Sequence, residues 1–286
     1  MWWKLVSAGI VVLVVAGIGA LSYGMRRWKA DVRELRAGIE AARSSAASRA
    51  YEPSELDGLP EPVRRYFSTV LREGQPAIGS VYLEHSGTFN MGTEAEQWKP
   101  FQSVQYVTTQ RPGFVWDARI AMTPGMVARV RDAYVAGRGI LVAKLFGLLT
   151  VVDEQGTPEM AQGELMRFFA EGAWYPTALL PSQGVVWEAV DGTRATATLT
   201  DGATTVSLEF TFDAQGLIST VYAEGRYRDV EGEQVATPWR GRFWGYELRD
   251  GVLIPLEGEV GWVIEGEYSP YWRGRIEHIE YESARP

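Results

Sequence analysis

VSLEFTF, at residues 206–212, alternates apolar side chains with Ser, Glu and Thr. Successive side chains of a β-strand point to opposite faces of a sheet, so this period of two places the Val, Leu and Phe side chains on one face. The stretch ATATL, at residues 195–199, repeats the pattern. Alternation of this kind is typical of antiparallel sheets that bury one face and leave the other in water.

Turn signals separate further runs of β-branched and aromatic residues along the chain. The pairs are Pro112-Gly113, Pro124-Gly125, Asp191-Gly192, Asp201-Gly202 and Asp250-Gly251. Gly and Asp favour the backbone conformations of tight turns, and the runs indicate about ten strands. The connections are too short for crossover helices, which argues against a doubly wound parallel sheet. We predict an α+β fold, mostly β, built on one large, curved, half-barrel-like antiparallel sheet.

One helical stretch interrupts the strands, at residues 157–180. Thr157 can cap it, and Pro158 suits a first helical turn because its missing N–H costs nothing there. An apolar stripe follows, formed by Met160, Leu165, Phe168 and Phe169. Because such a stripe has to be covered, we predict that this helix packs across the concave face of the sheet.

The N-terminal stretch LVSAGIVVLVVAGIGALSY, residues 5–23, carries no charge. As a helix it spans roughly 28 Å, close to the hydrocarbon thickness of a bilayer. Trp2, Trp3 and Tyr23 flank it, as aromatic rings do at membrane interfaces. We predict a single-pass transmembrane anchor over residues 1–24. The alternative is a signal peptide, with Ala20-Leu21-Ser22 as its cleavage site.

Residues 25–50 are predicted to form a helical stalk, because apolar residues recur at every third or fourth position. They are Trp28, Val32, Leu35, Ile39, Ala42 and Ala46. This stripe is compatible with a parallel homodimer; the alternative is a solvated stalk whose stripe is too short to associate. A break rich in Pro and Gly, residues 51–60, then begins a single β-rich body domain over residues 51–286.

The charge is divided unevenly: the net charge is +5 over residues 1–50 and −13 over residues 51–286. An acidic body repels phosphate backbones, so we expect no nucleic acid partner. Basic residues directly after the apolar span favour a cytoplasmic body by the positive-inside rule. The predicted fold class instead favours a body outside the cytoplasm, so the sequence does not decide on which side of the membrane the body lies.

The supply of reactive side chains is small, with no cysteine and two histidines. Disulfides, Cys-ligated metals and thiol nucleophiles are therefore excluded. No catalytic motif of a familiar class is present. We predict no catalytic residue, no metal and no cofactor. An enzyme of an unfamiliar class would be centred on Glu171, His85 or His278, converging with nearby arginines on one pocket.

Several stretches resemble a bacterial family of membrane-anchored proteins that contain a domain of unknown function. They are LPEPVRRYF (59–67), RPGFVWDARI (111–120), VRDAYVAGRG (130–139), AEGAWYPTALLPSQGVVWEAVD (170–191) and YWRGRI (271–276). The resemblance covers the body from about residue 59 onward, implies a bacterial inner-membrane location and assigns no activity. The succession of strands with one helix laid across them is also similar to the half-barrel lipoprotein carriers of the bacterial envelope. That similarity implies an apolar cavity and hydrophobic ligand binding.

Candidate ligand-binding residues come from two apolar runs and two arginines. They are Leu145, Phe146, Leu148, Leu149, Phe168, Trp174, Tyr175, Leu179, Leu180, Arg119 and Arg131. The apolar members could line a lipid cavity, and the arginines could hold an anionic headgroup at its mouth. The alternatives are ordinary core packing and cross-strand ion pairs. Our leading hypothesis is a membrane protein that binds a hydrophobic or lipid-like ligand, and the alternative is a scaffold that dimerises through the stalk.

Overall fold

Long antiparallel strands make up most of the computed structural model, which describes residues 2–43, 50–92 and 95–284. The first half of the chain supplies β1 (Ile78–Asn90), β2 (Trp98–Thr108), β3 (Gly113–Thr123), β4 (Met126–Val135), β5 (Arg138–Leu145) and β6 (Leu149–Gln155). The second half supplies β7 (Val186–Ala189), β8 (Arg194–Asp201), β9 (Thr204–Phe212), β10 (Ile218–Val230), β11 (Glu233–Arg249), β12 (Val252–Ile264) and β13 (Glu267–Ser283).

All of these strands belong to one sheet, in the order β6-β5-β4-β3-β2-β1-β13-β12-β11-β10-β9-β8-β7. Each half is a meander in which neighbours in sequence pair, and the pairing of β1 with β13 joins the two meanders. The sheet is curved and not closed, which confirms the predicted fold class. The prediction of about ten strands was too low, since the described residues form thirteen. One cause is that a turn at Phe146-Gly147, both with positive φ, divides the apolar run 140–152 into β5 and β6.

Helix α3 (Pro158–Ala170) connects β6 and β7, the two edges of the sheet, so it has to cross from one meander to the other. Thr157 caps it by accepting a hydrogen bond from the Met160 N–H at 3.2 Å, as predicted. The helix packs against β4 and β5 on one side and β9 and β10 on the other. The regular helix ends at Ala170 rather than at Leu180, and 3₁₀ turns continue from there to Gln183.

Helix α2 (Glu61–Val70) fills one part of the concave face with a dense core. Val63, Tyr66 and Phe67 are fully buried, and the Tyr66 ring packs 5.7 Å from that of Phe212 on β9. Pro62 lies in the first turn of this helix, where a missing N–H is tolerated. The part of the concave face that α2 covers is therefore a filled core.

Helix α1 (Trp2–Ala41) is continuous through the predicted boundary between anchor and stalk. Its N-terminal part is exposed, and the helix is apolar and long enough to cross a membrane. Beyond Gly24 the helix lies on the outer, convex face of the sheet. Trp28, Val32 and Ile39 are buried there. Their partners on the sheet are Val115, Ala133, Ile140 and Val142.

The stripe considered above for a dimer or a solvated stalk is therefore occupied by the chain's own sheet. Trp28 is 1% exposed, and its indole N–H donates to Asp117 Oδ1 at 2.8 Å. Ala46, the last member of the predicted stripe, lies outside the described residues, as do all of residues 44–49.

Candidate functional site

A cavity of about 420 Å³ lies on the concave face between α3 and the strands of both meanders. Its walls are mostly aromatic and aliphatic. The aromatic members are Phe89, Trp116, Trp174, Tyr227, Trp239, Phe243, Trp262, Tyr271 and Trp272. A volume of this size is typical of small-molecule sites.

Helix α3 presents charged side chains to this cavity from its buried face. Glu164, Arg167 and Glu171 are spaced by three and four residues, which places them on one side of a helix. All three line the cavity, and Glu164 and Glu171 are buried. Charged groups in such surroundings have to be paired.

Arg167 is the centre of the resulting network. Its Nε donates to Glu171 Oε1 at 2.8 Å, and its two terminal nitrogens donate to Asp132 Oδ2 at 2.5 Å and to Gln105 Oε1 at 3.1 Å. Gln105 also donates to the second oxygen of Glu171 at 2.5 Å. Burial lowers the pKa of Arg167, but Glu171 and Asp132 outweigh it and raise the pKa. The guanidinium therefore stays charged.

Two carboxyl groups share the polar wall of the cavity. Asp132 is bound by Arg167, and Glu164 accepts from Arg226 at 3.3 Å. Burial raises the pKa of Glu164, and the nearby Asp132 raises it further. Burial and the charge of Asp132 therefore both disfavour the ionised form of Glu164.

Four buried polar atoms on cavity-lining residues have no hydrogen-bond partner among the described residues. They are Asp132 Oδ1, Glu164 Oε2, Trp116 Nε1 and Trp174 Nε1. Buried polar groups in native proteins are almost always paired. The polar wall therefore contains two indole donors and two carboxyl oxygens without such a partner; each atom is itself covered by neighbouring atoms, and a proton on Glu164 can pair the two carboxyl groups.

His85 lies behind this wall, with its ring 5.1 Å from that of Trp174 and 6.2 Å from that of Trp272. Burial lowers its pKa to about 3, and the positive charge of Arg167 contributes. The imidazole is neutral at pH 7. His278, in contrast, is exposed on the other face of the sheet, where it contacts Glu280. Of the residues considered for an enzyme of an unfamiliar class, Glu171 lies with Arg167 in the cavity wall, His85 lies behind that wall, and His278 lies apart from both.

The structure places the predicted ligand-binding residues in three different surroundings. Trp174 lies in the cavity wall. Phe168, Tyr175, Leu179 and Leu180 are buried in the core, and Leu145 packs against that core. The remaining apolar members, Phe146, Leu148 and Leu149, form the β5–β6 turn and its flank. Whether any of them contacts a ligand stays a prediction.

The two predicted arginines lie on the outer face, away from the cavity. Arg119 is exposed there, opposite Arg129 in the register of β3 and β4. Arg131 is buried under α1, where it bonds Asp31 at 3.2 Å and lies 4.8 Å above the Trp28 ring. Residues 117 and 119 on β3, and residues 129 and 131 on β4, are two positions apart, so their side chains point to the same face of the sheet. Helix α1 covers that face.

The polar wall was missed from the sequence, apart from Glu171. The available signal was three charged residues, Glu164, Arg167 and Glu171, placed among the apolar residues of a helix predicted to be buried. A charged side chain on the buried face of a helix indicates either a paired network or a site. Asp132 could not be found in this way, because its partner Arg167 lies 35 residues away in sequence.

A family model described as "Family of unknown function (DUF6920)" matches residues 57–281. Among curated proteins, no sequence matches the chain. Similar solved structures include a LolA superfamily protein, NE2245, from Nitrosomonas europaea, with 9% identity, a TM-score of 0.40, and coverage of 78% of this chain and 93% of that one.

Two further structures are similar to a lower degree. A β-barrel-like protein of the domain of unknown function DUF1849 from Brucella abortus has 10% identity, a TM-score of 0.24, and coverage of 73% of this chain and 100% of its own. A porin-like protein from Bacteroides uniformis has 8% identity, a TM-score of 0.25, and coverage of 73% and 98%.

Proposed function

The chain belongs to DUF6920, a family of unknown function, and we propose that it is a single-pass membrane protein whose cavity binds a lipid-like amphiphile. The observation that carries this proposal is an aromatic cavity with unpaired buried polar atoms along one wall. An apolar cavity with a few converging polar groups is the usual form of a small-molecule site.

The apolar walls favour the hydrocarbon part of such a ligand. Trp239, Phe243 and Trp272 are buried and line the cavity together with Val260. Removing apolar ligand surface from water into this volume is favourable by about 25 cal/mol per Å². A purely polar ligand would leave these rings without compensating contacts.

The polar wall favours a ligand end that both accepts and donates hydrogen bonds. The indole N–H groups of Trp116 and Trp174 need acceptors, whereas Asp132 Oδ1 can accept. A hydroxyl group meets both needs, because one oxygen donates once and accepts twice. We therefore expect an alcohol or glycerol-like headgroup to bind better than a carboxylate.

Binding of a fluorescent fatty alcohol to the full chain in detergent tests this proposal. Val130 lines the cavity two residues before Asp132 on β4. The variant V130W should fill the cavity and weaken binding about tenfold or more, which corresponds to about 1.4 kcal/mol. The matched control V186W places the same ring at an exposed site on the edge strand β7.

Equal binding by V130W, V186W and the unchanged chain would show that the probe binds outside the cavity. No binding by the unchanged chain, with the fold intact, would contradict the proposal directly. A fatty acid of the same chain length should bind more weakly than the alcohol, because its carboxylate meets Asp132 and Glu164.

A further inference from the structure

We propose that the sheet end from which the apolar part of α1 leaves lies against the bilayer, so that the cavity opens toward the membrane and takes its ligand from it. This inference rests on the proposed function and adds the source of the ligand and the membrane-contacting surface. Four observations carry it: the strand topology, the position of α1, the rim of the cavity and an exposed apolar turn.

The strand topology collects alternate connections at one end of the sheet. In an antiparallel meander every second connection lies at the same end. Phe89, near the end of β1, pairs with Trp272, near the start of β13, so both meanders share that end. We call it the anchor end. Its connections are β1–β2, β3–β4, β5–β6, β10–β11 and β12–β13. The β8–β9 turn, which alternation also assigns to this end, lies elsewhere because the sheet curls: Asp201 bonds Arg111 and Tyr134 at the opposite end.

Helix α1 enters the outer face of the sheet at this end. A Cβ atom added to Gly24 would lie 2.6 Å from Leu148 Cδ2, so the helix touches the β5–β6 turn there. Ile39 packs against Gly113, the first residue of β3, at the opposite end of the sheet. Residues 2–23 therefore extend about 33 Å beyond the anchor end.

The cavity opens toward the same end. Its inner wall includes the buried Trp174 and Phe243. Its more exposed lining side chains, among them Phe89, Tyr227 and Tyr271, belong to the parts of β1, β10 and β13 that lie close to anchor-end connections. A ligand that enters between these side chains approaches from the side on which α1 extends.

An exposed apolar tip completes the anchor end. Leu148, Leu149 and Val151 are 36%, 64% and 63% exposed, and we call them the β5–β6 tip. Contiguous exposed apolar side chains mark contact surfaces. The tip adjoins α1 directly after the exposed Tyr23, so a bilayer that holds α1 also meets the tip.

Charge supports a lipid surface as the occupant. Arg26 and Arg27 are exposed on α1 next to the tip, and basic residues near anionic headgroups are attracted to the membrane surface. The turns of the second meander carry Glu231 and Glu265 at the anchor end. The basic side of the anchor end is therefore the side next to the β5–β6 tip.

Depth measurements with single cysteines test the inference, because the chain has no native cysteine. The full-length variants V12C, L149C and V186C carry an environment-sensitive nitrobenzoxadiazole label. Each is placed in vesicles of phosphatidylcholine with a minority of phosphatidylglycerol, and nitroxide groups on the acyl chains quench labels that reach the bilayer. Val12 reports the apolar part of α1, Leu149 the tip, and Val186 the opposite edge of the sheet.

We expect quenching and a blue shift at positions 12 and 149 and neither at position 186. Quenching at 12 with an unquenched label at 149 would overturn the inference and leave the cavity proposal intact. Absence of quenching at 12 would overturn both the anchor and this inference. Equal quenching at 149 and 186 would also overturn it, because the body would then lie on its side.

Discussion

The two faces of the sheet carry similar clusters of Trp, Arg and carboxylate side chains, and the inner cluster lines the cavity of about 420 Å³. On the outer face Arg131 lies over the Trp28 ring and bonds Asp31 of α1. On the inner face Arg167 lies 5.0 Å from the Trp116 ring and bonds Asp132. Residues 131 and 132 are neighbours on β4 and point to opposite faces.

The difference between the clusters is what covers them. Outside, α1 lies over the strands and the Trp28 N–H is paired with Asp117, although Arg131 Nε has no partner among the described residues. On the inner face, the Trp116 N–H, Asp132 Oδ1 and Glu164 Oε2 have no hydrogen-bond partner among the described residues. The same side-chain chemistry thus stabilises packing where α1 supplies the cover, and lines the proposed binding cavity where no described element covers it.

Replacing the arginine of each cluster should give the largest difference in the free energy of unfolding between the two faces. R167M leaves Asp132, Glu171 and Gln105 buried without their partner, which should cost about 3–5 kcal/mol in the free energy of unfolding. R131M should cost about 1 kcal/mol, because its partner Asp31 is 30% exposed and can bind water. Denaturant unfolding of both variants checks this, and equal losses would contradict it.

Removing the outer cover should have the next largest effect. W28A deletes a fully buried ring between α1 and the sheet, which should lower the free energy of unfolding by about 3 kcal/mol. E34A, an exposed position on the same helix, should stay within about 0.5 kcal/mol of the unchanged chain. A small effect of W28A would mean that α1 is not packed on the sheet in solution.

The buried histidine should make the inner face sensitive to acid. Burial lowers the pKa of His85 to about 3, so below about pH 6.5 the unfolded chain binds a proton that the folded chain does not. Stability is complete above that value and falls toward pH 3, by up to about 1.4 kcal/mol per pH unit. H85F should reduce this slope, as measured by denaturant unfolding between pH 4 and pH 7.

Deleting single indole N–H groups should give the smallest and most specific effects. W28F loses the bond to Asp117 and should lower stability by about 1 kcal/mol. W116F removes an unpaired donor, so it should not lower stability but should weaken binding of the fatty alcohol about fivefold. A stability loss in W116F equal to that in W28F would show that the Trp116 N–H is already paired within the chain.

The sheet could be predicted from the sequence because its signals are local. The alternation in residues 206–212 depends only on near neighbours. The same holds for the Asp250-Gly251 turn, in which both residues have positive φ. The cap of α3 by Thr157 is equally local. The β5–β6 turn was missed, since Phe146-Gly147 in an apolar run lacks the Asn or Asp that marks such turns.

The elements that pack against each face of the sheet could not be predicted, because their positions depend on contacts between residues that are distant in sequence. The stripe at Trp28 and Ile39 specifies a buried face of a helix, but a second helix and the chain's own sheet satisfy it equally well. Pairing of β1 with β13 and the bond from Arg167 to Asp132 have no local signature. Trp174 was predicted at the cavity because it belongs to the segment laid across the sheet.

Native mass spectrometry of the full chain, released from the membrane in which it was made, tests the central claim most directly. We expect an added mass of one lipid on the unchanged chain and on V186W, and its absence from V130W. The account would be contradicted if V130W retained the same added mass, or if the unchanged chain carried none and acquired none from added vesicles.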